Sequence, residues 1–92
     1  MTNSDLVLNI AVNLGRLGRW AQSGQTPRIS QFLADTQIYL DQIQSIDPQF
    51  HSTYARFLKD YQFMRSTSPN PDGWSDTAFT WAVILTHRAK LA

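Results

Sequence analysis

Apolar residues recur three and four positions apart in four separate stretches of this chain, with strong stop signals between them. In the first stretch Val7, Ile10, Leu14, Leu17 and Ala21 form the seam of an amphipathic helix. Ser4 is the expected N-cap and Gly24 the left-handed stop. Thr26-Pro27 opens a second helix whose seam is Ile29, Phe32, Thr36, Tyr39 and Ile43. Asp47-Pro48 opens a third, with Phe50, Tyr54, Phe57, Tyr61 and Met64 on one stripe. The run Ser66 to Gly73 reads as a loop, and Ser75 as the cap of a fourth helix with Ala78, Trp81, Ala82, Leu85 and Ala89 inward. No stretch shows the period-two alternation of a half-buried strand. The expected fold is all-α: an antiparallel up-down-up-down four-helix bundle, with helices over residues 4–23, 27–45, 48–66 and 75–91, in a single domain spanning 1–92. A three-helix core with a loosely attached first or fourth helix is the structural rival.

Projected at 100° per residue, the four helices differ in kind. The second and third are cleanly amphipathic: Ser30, Gln31, Asp41, Gln42 and Ser45 point outward on one, Ser52, Arg56, Lys59 and Gln62 on the other. The first and fourth carry apolar residues outside their seams. Leu8 and Val12 lie opposite the first seam, beside a flat strip of Ala11, Gly15 and Gly18. Phe79 and Val83 flank the fourth seam, leaving only a narrow polar wedge around Asp76, Thr80 and His87. An up-down-up-down bundle makes these two helices neighbours, so the surplus apolar surface gathers on one side. Such a face has two readings: a fourth helix more central in a fold less regular than a square bundle, or a protein-binding surface, a homodimer being the simplest form.

Composition narrows the remaining chemistry. The net charge of +1 supplies no broad field to attract nucleic acid or an anionic membrane. The absence of cysteine removes disulfides, thiolate metal sites and cysteine nucleophiles, and fits a reducing compartment. The start Met1-Thr2-Asn3-Ser4-Asp5 lacks the basic region of a secretory signal, and the longest apolar run, Trp81 to Leu85, is far short of a membrane span. A cytoplasmic protein is expected. Every acidic residue is Asp, which argues against capping boxes and against the carboxylate-bridged di-iron bundles built from Glu.

Catalytic signals are sparse. No serine sits in a Gly-x-Ser-x-Gly elbow and no glycine-rich loop could cradle a phosphate. Asp72 and Asp76 read as a turn residue and a helix-start charge rather than an acid–base pair. His51 and His87, with Asp47, would share one end of the bundle as an incomplete metal site; a helix-terminus role accounts for them better. Arg16, Arg19, Arg28 and Arg65 gather with Trp20 at the opposite end, a mixture suited to protein docking. The same mixture occurs in single-strand binders, but the near-neutral total and the nearby Asp72 and Asp76 argue against nucleic acid. The aromatic interior reads as core rather than as a cofactor box.

The tetrapeptide His87-Arg88-Ala89-Lys90 resembles the His-x-x-Lys core of histidine phosphotransfer domains, which are also helical bundles. The resemblance covers these four residues, and Leu91 stands where that family prefers glycine. It implies an alternative function, phosphotransfer signalling through an exposed His87. The primary expectation is a non-enzymatic adaptor or regulatory bundle without cofactor. Its partner would be another protein or a second copy, bound through Leu8, Val12, Gly15, Phe79 and Val83, with Arg19 and Trp20 at the basic end.

Overall fold

A computed structural model describes all 92 residues, Met1–Ala92. Four helices follow one another: α1 (Asn3–Ser23), α2 (Thr26–Gln42), α3 (His51–Ser66) and α4 (Gly73–Arg88). Single 3-10 turns, Pro48–Phe50 and Ala89–Leu91, lead into α3 and out of α4. No helix is long and apolar enough to cross a membrane.

The helix ends show where local chemistry departs from the pattern reading. α1 is capped by Thr2 rather than Ser4. The Thr2 hydroxyl accepts the Asp5 amide while the Asp5 carboxylate accepts the Thr2 amide, both at 3.1 Å. A capping box therefore forms without Glu, because the shorter Asp side chain still reaches its cap. α2 is entered from Gln25, with Thr26 and Pro27 already inside the first turn. It stops at Gln42, three residues earlier than expected, because the Asn3 side chain both donates to the Gln44 carbonyl and accepts its amide. Ile43 is extended there and Ser45 takes a φ of 53°. Asp47 caps the next segment as expected, accepting the Gln49 amide. At α4 the expected cap is displaced. Asn70 gathers the Asp72 and Trp74 amides, so the helix begins at Gly73 and Ser75 falls within it, fully buried.

Gly24 does end α1 in the left-handed region, at φ 75°, with no heavy atom near where a Cβ would stand. Only backbone conformation is at stake there, so Gly24→Ala should cost about 1 kcal/mol. A fall in melting temperature of roughly 4–8 °C, read by circular dichroism, is the expected result.

Side-chain hydrogen bonds between helices, some to backbone and some to other side chains, show the directions of the helices. Ser4 Oγ donates to the Ala89 carbonyl (2.8 Å) and Ser75 Oγ to the Gly18 carbonyl (2.9 Å), so α1 and α4 run antiparallel along their whole length. Asn3 with Gln44 and Asn13 with Thr36 show the same for α1 and α2. Thr53 with Arg88, Asp60 with Trp81 and Met64 with Trp74 bind α3 antiparallel to α4. The order is up-down-up-down, and α1 packs directly on both α2 and α4.

Close approach of α1 and α4 follows from small residues. Gly18 and Ser75 meet directly, and Ala11 and Ala78 lie one or two turns away on the same sides, all buried. α3 is held differently, through large side chains. Phe57 stacks between Tyr61 and Trp81, with ring centroids 5.6 and 5.4 Å away. Phe50, Phe57, Tyr61 and Met64 are all essentially inaccessible. The seam expected for α1 is buried at every position. In α2 only Ile29, Thr36 and Leu40 are, the other seam residues being half-exposed.

Candidate interaction surface

On α1 the residues Leu8, Val12, Gly15 and Arg19 are spaced four, three and four apart, the repeat of a second seam on the side away from the core. Leu8 is 41% exposed and Val12 53%. Gly15 is half-buried, and the atom nearest to a Cβ built there is Arg19 Nη1 at 3.7 Å, so no other helix covers it. Gly18 behaves in the opposite way. A Cβ there would stand 2.7 Å from the Phe79 ring, and the missing side chain is what lets that ring lie on α1. The strip of small residues is thus divided: Phe79 of α4 occupies Gly18, Ala11 is buried, and at Gly15 only the Arg19 side chain approaches.

On α4, Val83 is 57% exposed while Phe79, lodged against Gly18, is half-buried. The Ser4–Ala89 and Gly18–Ser75 bonds fix the register between the helices. That register places Val12 and Val83 near mid-length on adjacent helices, with Leu8 and Gly15 beside them. Other exposed apolar side chains, Ile38 and Phe63, each stand alone on the outer faces of α2 and α3, which is ordinary for a protein surface.

Polar positions framing this flank were less evident in the sequence. Asp5, Arg19, Asp76 and Lys90 are all exposed. The sequence repeats one arrangement, an acid, a valine seven residues on and a base seven further: Asp5–Val12–Arg19 within α1, and Asp76–Val83–Lys90 through α4 into its closing turn. Seven residues are close to two helical turns, so Asp5, Val12 and Arg19 lie along one line of α1, and Asp76 and Val83 along one line of α4, with Lys90 in the 3-10 turn beyond it.

The basic end is largely satisfied within the chain. Arg28 lies 5.6 Å over the Trp20 ring, Arg16 lies 5.8 Å over Phe32, and Trp20 meets Phe32 edge-on at 4.7 Å. Arg65 stacks on Tyr61 and donates to Gln37. Arg19 makes none of these contacts and points along the flank instead. Trp20, half-buried against Phe32, belongs to the α1–α2 packing rather than to the apolar stripe.

His87 is exposed one residue before the end of α4. The α-helix ends at Arg88, so Lys90 lies in the following 3-10 turn and not on a continuous α-helical face with His87. His51 hydrogen-bonds through Nε2 to the Ile46 carbonyl at 3.0 Å, and no three His or Asp side chains converge as metal ligands would. No cavity opens among the interior aromatic rings. The two shifted ionisations both belong to tyrosines. Burial first, and the nearby Asp41 second, raise Tyr54. Burial holds Tyr61 up at about 12 against the opposing effect of Arg65.

Compared with protein-family models, curated proteins and solved structures, the chain matches none.

Proposed function

We propose that this protein acts without catalysis, as an adaptor or regulatory bundle that binds another polypeptide through the outer flank of α1 and α4. The observation that supports the reading most is the joint exposure of Leu8, Val12 and Val83 on two adjacent helices. A single exposed valine is unremarkable, but a contiguous apolar strip bordered by charge is the composition of an interface centre and its rim. The strip lies on helices fixed to each other by buried contacts, so binding would require little reordering of the backbone.

A photo-crosslinking residue placed at Val12 or Val83 tests the reading. Irradiation in cells of the source organism should give one discrete adduct, either with a second copy or with another polypeptide. The same residue at Ser52, on the polar face of α3, should give none. Val12→Asp should abolish the adduct formed from position 83. Diffuse or absent crosslinking at both valines would defeat the proposal.

A further inference from the structure

We infer that the occupant of the α1–α4 flank is a second copy of this chain, stacked flank to flank about a two-fold axis. This rests on reading the flank as a binding surface and adds the identity of the partner.

The argument comes from the four charges at its corners. α1 and α4 run antiparallel, and α1 and the segment formed by α4 and its closing 3-10 turn carry the same acid–valine–base order. One end of the flank therefore holds Asp5 on α1 and Lys90 in the 3-10 turn that ends α4, and the other holds Arg19 on α1 and Asp76 on α4. Signs alternate around the rectangle. A two-fold axis parallel to the helices sets Asp5 against Lys90 of the other copy and Arg19 against its Asp76. A two-fold axis across the helices sets Asp5 against Arg19, and Asp76 against Lys90. Opposite charges meet in both settings, which is true only of an alternating arrangement. Two acids on one helix and two bases on the other, or acids together at one end, would bring like charges face to face in one of them.

The apolar middle agrees with this. In both settings Val12 and Val83 lie near the centre; with the axis across the helices, Leu8 of the other copy comes over the shallow surface at Gly15, beside the Arg19 side chain. The side chains of Arg19, Asp76 and Lys90 make no hydrogen bond within the chain, and Asp5 uses only Oδ2 in its cap, leaving Oδ1 for a partner. Size is sufficient as well. The molecule measures 36 × 21 × 20 Å, so one lateral face offers on the order of 700 Å², near the roughly 800 Å² per partner of a standard interface.

Sedimentation equilibrium of the purified full chain, from about 1 to about 300 µM, is the first measurement. A mass twice the 10.5 kDa of the chain is expected at the upper end, with association weakening as salt is added. Two charge variants then test the pairing. Arg19→Asp with Lys90→Asp makes all four corners acidic; Asp5→Lys with Asp76→Lys makes all four basic. Each alone should self-associate at least about tenfold more weakly than the parent, and an equimolar mixture should form a heterodimer. The acidic variant changes only side chains free of hydrogen bonds, so its loss of association stands even if the basic variant folds poorly for want of the Asp5 cap. Circular dichroism checks the helicity of each.

A parent chain monomeric throughout would overturn the inference, as would a dimer indifferent to the acidic variant or two folded variants that ignore each other. A monomer whose Val12 position still crosslinks to a different polypeptide would defeat the self-pairing and leave the binding flank standing. A monomer without crosslinks would remove both.

Discussion

Replacing Phe57 by alanine should lower the unfolding free energy by about 3–5 kcal/mol, the usual cost of truncating a buried phenylalanine. A chain of 92 residues has a total stability on the order of 5–14 kcal/mol, so this one change removes a large part of it. Phe57 is 1% exposed and packs between Tyr61 and Trp81, through which α3 meets α4. Removing the ring leaves a void that rigid aromatic neighbours cannot close. Trp81 would also lose the support that directs its indole nitrogen to Asp60, at 2.7 Å. Urea unfolding followed by circular dichroism gives the number. A loss below about 1.5 kcal/mol would mean that α3 rests on contacts other than this cluster.

The second large effect concerns pH. Tyr61 is wholly buried, its hydroxyl donates to the Leu33 carbonyl at 3.0 Å, and burial holds its ionisation at about 12 instead of the usual 10. The native state thus keeps this proton more tightly than the unfolded chain does. The contribution is complete below the unfolded value of about 10 and disappears as pH rises towards about 12. Ionisation would also turn the donor into an anion facing a carbonyl oxygen, so the fold must open around it. The urea midpoint should hold steady up to about pH 9 and then fall steeply across that window. Tyr61→Phe cannot ionise and should fall less steeply. Some slope persists in the variant because Tyr54, raised in the same direction, titrates as well. Identical alkaline profiles for the two proteins would contradict the assignment.

Much of the bundle is legible in the sequence because it depends on periodicity. Every expected seam position of α1 is buried, Gly24 and Asp47 mark the boundaries they suggest, and the polar faces of α2 and α3 are exposed. Helix ends are less legible because side chains from distant residues decide them. Nothing local to Gln42 announces that Asn3 will hold Gln44, and nothing near Ser75 announces that Asn70 will start α4 two residues sooner. Tertiary demand overrides a good capping residue when that residue has a better partner, here the Gly18 carbonyl.

The candidate surface divides in the same way. The outward placement of Leu8, Val12 and Val83 follows from helical angle alone. Phe79 lies at a similar angle yet is half-buried, because an aromatic ring is long enough to reach the space left by Gly18. The alternating charges needed one more fact, the antiparallel register of α1 and α4, which no single helical projection contains.

On the opposite side of α1 from this flank lies the one buried amide–hydroxyl pair between α1 and α2. Thr36 donates its hydroxyl proton to the Phe32 carbonyl and accepts from Asn13 Nδ2 at 3.3 Å. Helices with purely aliphatic contacts have degenerate alignments, since a slide of one turn exchanges one greasy residue for another. Here such a slide would carry Asn13 onto Phe32 or Leu40, neither of which offers its side-chain amide a partner, at a penalty of about 1–3 kcal/mol. Two polar side chains thus reduce the ways of laying α2 along α1 to a single choice.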